Sequence, residues 1–530
     1  MPILSRQPIW PLAATAAMLL GCTSREAETS VDRRHAATDA PPAAQPDASV
    51  RTLQSRRNAV GAKGTANTKP PSTPDPALRK RVRALSRNVW IYAQPDASRQ
   101  WIGFMWFGGS APLRKDESVA GPGCQRFYAI EPRGYVCVDD QRATLDAHHP
   151  VWVRLAPYAP RVNSPWPHRY GESRGLERYA DLPSEKLQRQ REPDLRDHLA
   201  RIERAANDGK VHPLLEGVDL TPSPSAVIDL PPLPRGLRED RRRVVAPSAV
   251  AYSAETFHAG RSWLLSGDLW WMPKDRVKLY PQVTFQGVHL DRDVKLPLAF
   301  FRGKDRPKYR QDAESMVPTG STFPRLSWVE LTGRSVTAQQ TKYLETRDGS
   351  YVKAQDAVVP ELRKQTPWGA PVGGHDETGH APQGHQTWVE VSIWGGWLVA
   401  YEGTRPVFAT LVSAGRGGTP QEGRDPLETA ATPTGRFKIT GKFKTATMVA
   451  PGDLIHSDVP WAQNFTGPYA LHGAYWHNDW GNLKSGGCIN VSPIDGKWLF
   501  EWTEPKAPEG WHGVRWLPRL EPSTTLLVRR

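Results

Sequence analysis

The chain has 530 residues, 38% hydrophobic and 23% charged, and its 69 Lys+Arg against 55 Asp+Glu give a formal net charge of +14. At roughly 100–200 residues per domain that length allows three or more folded units, while 50 Pro and 44 Gly require loop-rich stretches between them. Four cysteines exclude a disulfide scaffold or a multi-zinc array, and the one short apolar run excludes a multi-pass membrane protein.

That run is N-terminal. Arg6 supplies a positive start, Ile9 to Leu20 are apolar apart from Pro11 and Thr15, and Leu19-Leu20-Gly21-Cys22 follows. Such a segment is a targeting signal rather than part of a fold. It resembles the bacterial lipoprotein signal, which implies a signal peptide over 1–21 and a lipid on Cys22, the membrane anchor. By the same resemblance Thr23 favours the outer over the inner membrane. An exported, basic protein is expected to meet anionic envelope polymers rather than nucleic acid.

Residues 22–85 form a tether. Between Thr23 and Leu85 there are 12 Lys+Arg and 6 Asp+Glu, so +6 of the +14 lies here, and apolar side chains are too few to offset the entropy of ordering. Folded sequence begins near Val89-Trp90-Ile91-Tyr92, within a small β module over 86–155. Tyr128 to Asp140 contains an aromatic strand, a turn at Pro132-Arg133-Gly134, then Tyr135 five residues before Asp140. Trp263 to Asp275 repeats this through Ser266-Gly267-Asp268, with Trp270 five before Asp275. Tyr343 to Asp356 repeats it again through Asp348-Gly349, a strong hairpin signal, with Tyr351 five before Asp356. These hairpins resemble bacterial Src-homology-3-like wall-associated domains, above all from Trp90 to about Val153. Cys124 and Cys137 lie across the first hairpin, and in an oxidising compartment they are expected to pair as a structural disulfide.

A helical and Pro-rich connector is expected over 156–246. Leu195, Leu199, Ile202 and Ala206 predict an amphipathic helix over Pro193–Asn207, with Gly209 just beyond it. A β region with the two further hairpin modules occupies 247–370, and a Gly/His linker occupies 371–385. His375, His380 and His385 recur there every five residues, a period that shares no helix face and suits a flexible joint better than a metal site.

From Gln386 the sequence turns strand-like. Val389–Ile393, Trp397–Tyr401 and Pro406–Val412 run apolar between Gly-containing turns. Thr432-Pro433-Thr434-Gly435 feeds Arg436-Phe437-Lys438-Ile439, and Tyr469-Ala470-Leu471-His472-Gly473 precedes Ser485-Gly486-Gly487-Cys488-Ile489-Asn490. Asp495 to Trp502 adds a short helix, and Thr524 to Val528 a closing strand. The expected fold is mainly β: a C-terminal β-sandwich over 386–530, preceded by small barrel-like β modules, short helices and a disordered tether.

With Cys22 lipidated and Cys124 and Cys137 paired, Cys488 is the thiol left over, flanked by glycines that let backbone N–H groups converge on one oxygen. A thiol needs a base or a positive neighbour to become the nucleophilic thiolate, and His472 lies sixteen residues upstream. His472-Gly473, that sixteen-residue step and Ser485-x-Gly487-Cys488-Ile489-Asn490 resemble the signature of the YkuD-type L,D-transpeptidases, and Thr432-Pro433-Thr434-Gly435 resembles that family's upstream turn. The resemblance implies a cysteine acyltransferase with no cofactor and no metal, acting on peptidoglycan stem peptides at the bond before the terminal D-Ala. It makes Cys488 the nucleophile and His472 the general base, with the Gly473 carbonyl orienting the imidazole. The N–H groups of Gly487 and Cys488, with Gly486, would form the oxyanion hole, and Ser485 and Asn490 would support the loop. Many relatives carry His where Gly486 stands, which leaves donor binding on that side open.

Tyr475, Trp476 and His477 lie in a lid-like loop between base and nucleophile and are candidate substrate contacts. Met448, His456, Trp461 and Asn464 are candidate groove residues. A zinc site of His472, His477 and Asp479 lacks a ligand pattern. The rival expectations are a hydrolase on the same fold and a non-catalytic wall-binding lipoprotein. Nothing in the sequence specifies an oligomeric state.

Overall fold

A computed structural model describes residues 79–209, 211–234, 236–373 and 386–530. Cys22, all of the tether before Arg79, and the linker histidines His375, His380 and His385 lie outside the described residues. Between Lys80 and Arg530 the protein is mainly β.

The three hairpins share one register. Phe127, Tyr128 and Ala129 pair with Cys137, Val136 and Tyr135. Trp263, Leu264 and Leu265 pair with Pro273, Met272 and Trp271, and Tyr343, Leu344 and Glu345 pair with Lys353, Val352 and Tyr351. Each turn closes with an N–H to carbonyl bond, Ile130 to Gly134, Ser266 to Trp270 and Thr346 to Ser350, at 3.0, 2.8 and 2.9 Å. The aspartate that follows each hairpin accepts an arginine: Asp140 from Arg126 at 2.6 Å, Asp275 from Arg261 at 2.7 Å, Asp356 from Arg306 at 2.8 Å. The offset seen in the sequence therefore marks an ion pair that ties the hairpin's end to an earlier strand. Cys124 and Cys137 are joined as a disulfide, with Cα atoms 5.9 Å apart.

Two segments differ from the sequence reading. Strand Arg81–Ala84 pairs with Pro112, Ala111 and Ser110, so ordered sheet begins inside the stretch assigned to the tether. Strand Arg169–Ser173 lies inside the expected connector, yet it pairs antiparallel with both Ala249–His258 and Val277–Leu279 and so belongs to the second β unit. Its sequence, RYGES, has no apolar alternation to reveal it. Helices Glu185–Arg191 and Leu195–Asp208 follow, the second ended by Gly209 in the left-handed region. They dock on the second unit through a buried ionic net. Glu192 accepts from Arg261 and Arg276, each at 2.9 Å, and His198 Nε2 lies 3.1 Å from Asp275.

The units are fused rather than strung. Phe104 and Trp106 of the first, Trp263 and Trp271 of the second, and Phe443 and Ala462 of the C-terminal region share one apolar cluster. Backbone pairing crosses the boundaries too, with Phe104 opposite Gly513 and Ala249 opposite His456. Gly103 and Gly513 permit that first crossing, because a Cβ on either would overlap the ring of Trp511 or Phe104.

In the C-terminal region one sheet runs in the order Val288–His289, Arg405–Leu411, Trp397–Glu402, Thr387–Ser392, Thr525–Arg529, Gly435–Lys438. Its edge strand comes from outside 386–530, and Gly287 N–H also donates to Asp495 Oδ1 at 2.8 Å. The facing layer holds strands Gly441–Ala450, Leu454–Thr466, Tyr469–Gly473 and Ile489–Val491 with helix Pro493–Trp502. Val389, Val391, Leu398, Phe465, Leu471, Ile489 and Leu499 fill the space between.

Candidate active site

Strands Tyr469–Gly473 and Ile489–Val491 run parallel, with Leu471 opposite Ile489 and His472 opposite Asn490. Residues two apart share a sheet face. Cys488, one step before its strand, therefore emerges on the face that carries His472 and Asn490. The parallel step explains why the two residues are separated by so many positions: the chain must cross over through the lid to re-enter the sheet in the same direction.

His472 is 2% exposed, and its Nδ1 lies 3.1 Å from the Gly473 carbonyl oxygen. A carbonyl only accepts, so Nδ1 carries the proton and Nε2 keeps a free lone pair. Burial pulls this imidazole down to about 4; the Gly473 contact opposes the shift, and His456 and His477 add to it. Cys488 is half-buried, and burial pushes its thiol up, against a backbone hydrogen bond from Ala470. Both groups are neutral at rest, and among the described residues no hydrogen bond joins them. What the arrangement offers is a neutral base and a neutral thiol on one face, ready for proton transfer as a bond forms.

The loop before Cys488 is fixed by Ser485, whose Oγ donates to the Cys488 carbonyl at 2.5 Å and accepts the Gly487 N–H at 3.0 Å. That bond corrects the expected oxyanion donors, since the Gly487 N–H is already engaged. The N–H groups of Gly486 and Cys488 have no acceptor among the described residues and are the donors left to face a substrate oxygen. Gly487 is required for its shape: its φ is +127°, and a Cβ there would sit 2.5 Å from the Tyr469 ring. At Gly486 a Cβ would meet open space.

Asn490 pairs through its backbone with Ser413, and its side-chain amide lies 3.2 Å from His477 Nε2. The atom facing His477 Nε2 is Asn490 Nδ2, while Asn490 Oδ1 has no partner among the described residues. His477 Nδ1 accepts the Asp479 N–H at 3.3 Å, which puts the proton on Nε2, and turning the amide over would let its oxygen accept that proton. His477 thus braces the lid against the loop that carries Cys488. Tyr475 is not a substrate contact: it is 1% exposed, its ring stacks 3.7 Å from that of Tyr170, and its hydroxyl donates to the Ser457 carbonyl at 2.7 Å. Trp476 is half-buried between His456 and His472, with ring centroids 4.2 and 5.8 Å away. Trp461 and Asn464 are buried, Trp461 Nε1 being spent on the Pro165 carbonyl at 2.8 Å. Asp479 pairs with Lys484 at 2.9 Å, and the described residues contain no cluster of metal-ligating side chains.

Sequence reasoning missed the residues that hold the lid from outside. Tyr170 stacks on Tyr475, Arg302 donates to the Gly481 carbonyl at 2.5 Å, and Arg325 donates to the Asn478 carbonyl. No local signal marks them, because their partners lie more than a hundred residues away in the chain.

Residues 386–509 match the family described as the YkuD L,D-transpeptidase catalytic domain. No curated protein matches the chain. Among solved structures it is similar to an L,D-transpeptidase of Xylanimonas cellulosilytica, with 24% identity over 29% of this chain and 66% of that one and a TM-score of 0.20. A second, from Stackebrandtia nassauensis, has 23% identity over 28% of this chain and 58% of that one, TM-score 0.19. A third, an Enterococcus faecium L,D-transpeptidase carrying a cysteine-to-serine substitution, has 23% identity over 30% and 56%, TM-score 0.20. The chain spans less than two thirds of the length of each. The assignment of an L,D-transpeptidase catalytic domain to 386–509 rests on the family match.

Proposed function

We propose that Cys488 is the nucleophile of this L,D-transpeptidase domain and His472 its general base. As Sγ bonds to the carbonyl carbon before the terminal D-Ala of a tetrapeptide stem, the thiol proton passes to His472 Nε2. The oxyanion is met by the N–H groups of Gly486 and Cys488. The C–N bond then breaks, D-Ala leaves as an amine that takes the proton from His472, and a thioester remains. An acceptor amine attacks that thioester, gives up its proton to Nε2 and forms the new amide as the C–S bond breaks, and the departing sulfur takes that proton back as the thiol. Bond energy is conserved through the thioester, so no nucleotide or cofactor enters these steps.

The observation that carries this reading is the parallel pairing of the two strands, which brings His472, with its Nδ1 tied to Gly473 O, onto the face of Cys488. Purified tetrapeptide muropeptides test it: cross-linked dimers from the parent and none from Cys488→Ala are expected. Tripeptide alone would make the domain a hydrolase. No mass shift of the intact protein with a carbapenem would leave a wall-binding protein without chemistry. We further propose that a lipid on Cys22 holds the enzyme at the membrane face of the envelope, outer rather than inner, which metabolic labelling of the parent and Cys22→Ala tests.

A further inference from the structure

A cavity of about 420 Å³ opens where two separate stretches meet the lid, lined by Thr284, Gln286, Arg325, Ser327, Trp328 and Asn478. Its volume is within the range of small-ligand sites. Its chemistry is one-sided. The lining contains a guanidinium, amides, hydroxyls and aromatic surface but no carboxylate. Arg325 spends one N–H on the Asn478 carbonyl, and its guanidinium has no carboxylate partner among the described residues. Remaining donors of such a fork suit a carboxylate.

The walls are held in place. The Arg325 N–H donates to Asp305 Oδ1 at 2.7 Å, Leu326 N–H to the Phe301 carbonyl at 2.6 Å, and Ser327 Oγ to the Pro324 carbonyl at 2.6 Å. The cavity also adjoins the chemistry. Asn478 is followed by Asp479, whose N–H fixes the His477 ring, and that ring meets Asn490 two residues past Cys488.

We infer that this cavity binds a carboxylate-bearing peptide, with the Arg325 guanidinium pairing the carboxylate. The inference rests on the transpeptidase reading, in which both the donor stem and the acceptor stem carry carboxylates. It gives the third β unit a binding role in place of a mere spacing one.

The test uses the full chain with Cys488→Ala, which binds without turnover, titrated calorimetrically with a free tetrapeptide and with its fully amidated form. Arg325→Gln is expected to weaken the free peptide about tenfold and leave the amidated one unchanged. Gln286→Glu sets a carboxylate in the cavity without touching the lid contact, and the same selective loss is expected. Undiminished preference for the free peptide in Gln286→Glu overturns the inference, even if Arg325→Gln loses affinity, because Arg325 would then act only through the lid. Repeating the titration on native Cys488 first acylated by a carbapenem separates the sources: retained Arg325-dependent binding identifies the acceptor, and lost binding the donor. Failure of the transpeptidase reading itself would show as absent acylation and absent dimers, neither of which the titrations of the Cys488→Ala chain require.

Discussion

Two regions bury titratable groups and hold them in opposite states. In the second β unit Glu192, Arg261, Asp275 and Arg276 are packed together, with Arg261 and Glu192 side chains only 3% and 2% exposed. There each charge meets an opposite one. Against the opposing cost of burial, hydrogen bonds from His198 and Arg261 hold Asp275 well below the usual carboxylate range. Around Cys488 and His472 no compensating charge is present among the described residues, so burial drives the imidazole down to about 4 and the thiol up. Burial alone does not decide whether a group is charged; compensation does. The first region converts charge into fixed geometry, and the second keeps two neutral groups whose ionisation waits for a substrate.

Breaking the compensated region should have the largest effect. Arg261→Ala leaves Glu192 and Asp275 buried without their shared partner and should cost about 3–5 kcal/mol, read from denaturant unfolding. The sign with pH follows. A carboxylate depressed in the folded state contributes stability above its unfolded pKa of about 3.9 and loses it as pH falls. The gap between parent and variant should therefore narrow on acidification. An unchanged midpoint at neutral pH would mean that the net is ornamental.

Breaking the uncompensated region should affect chemistry with little effect on stability. His472→Ala removes the proposed base and should slow acylation of Cys488 by about 10²–10⁴-fold, measured by intact mass against time. The resting charge state is tested separately. With the imidazole near 4 and the thiol raised, alkylation of free Cys488 by iodoacetamide should climb with pH, about tenfold per unit, through pH 8 and beyond. A plateau reached below pH 7 would reveal a thiolate–imidazolium pair and erase the contrast between the two regions.

How much of this was legible in the sequence depends on how far apart the interacting residues lie. Cys488, His472 and Gly487 stand within seventeen positions and carry their spacing with them. The hairpins were legible because turn and aspartate recur at a fixed offset. Strand Arg169–Ser173 was not, being short, polar and paired only with residues more than seventy positions away. Tyr475 was misread as a substrate contact because its loop looks exposed, whereas the ring that seals it, Tyr170, belongs to another unit. Arg302 and Arg325 were two cations among 69, and only the fold singles them out.

The smallest effect sharpens the comparison most. Arg126–Asp140 is the first unit's counterpart of Arg261–Asp275: the same residue types at the same fourteen-residue separation, closing a hairpin of the same register. Its side chains, however, are 46% and 52% exposed, where those of the second pair are 3% and 12%. Hydrogen bonds from Arg126 and then Thr144 lower Asp140, and the Thr144 bond at 2.8 Å survives removal of the arginine. Water and salt replace the rest. Arg126→Ala should therefore leave the unfolding midpoint within experimental scatter, with parent and variant equally insensitive to added salt. If instead it unfolds as readily as Arg261→Ala, the position of the arginine in the hairpin, and not the compensation of buried charge, sets the energy of both pairs.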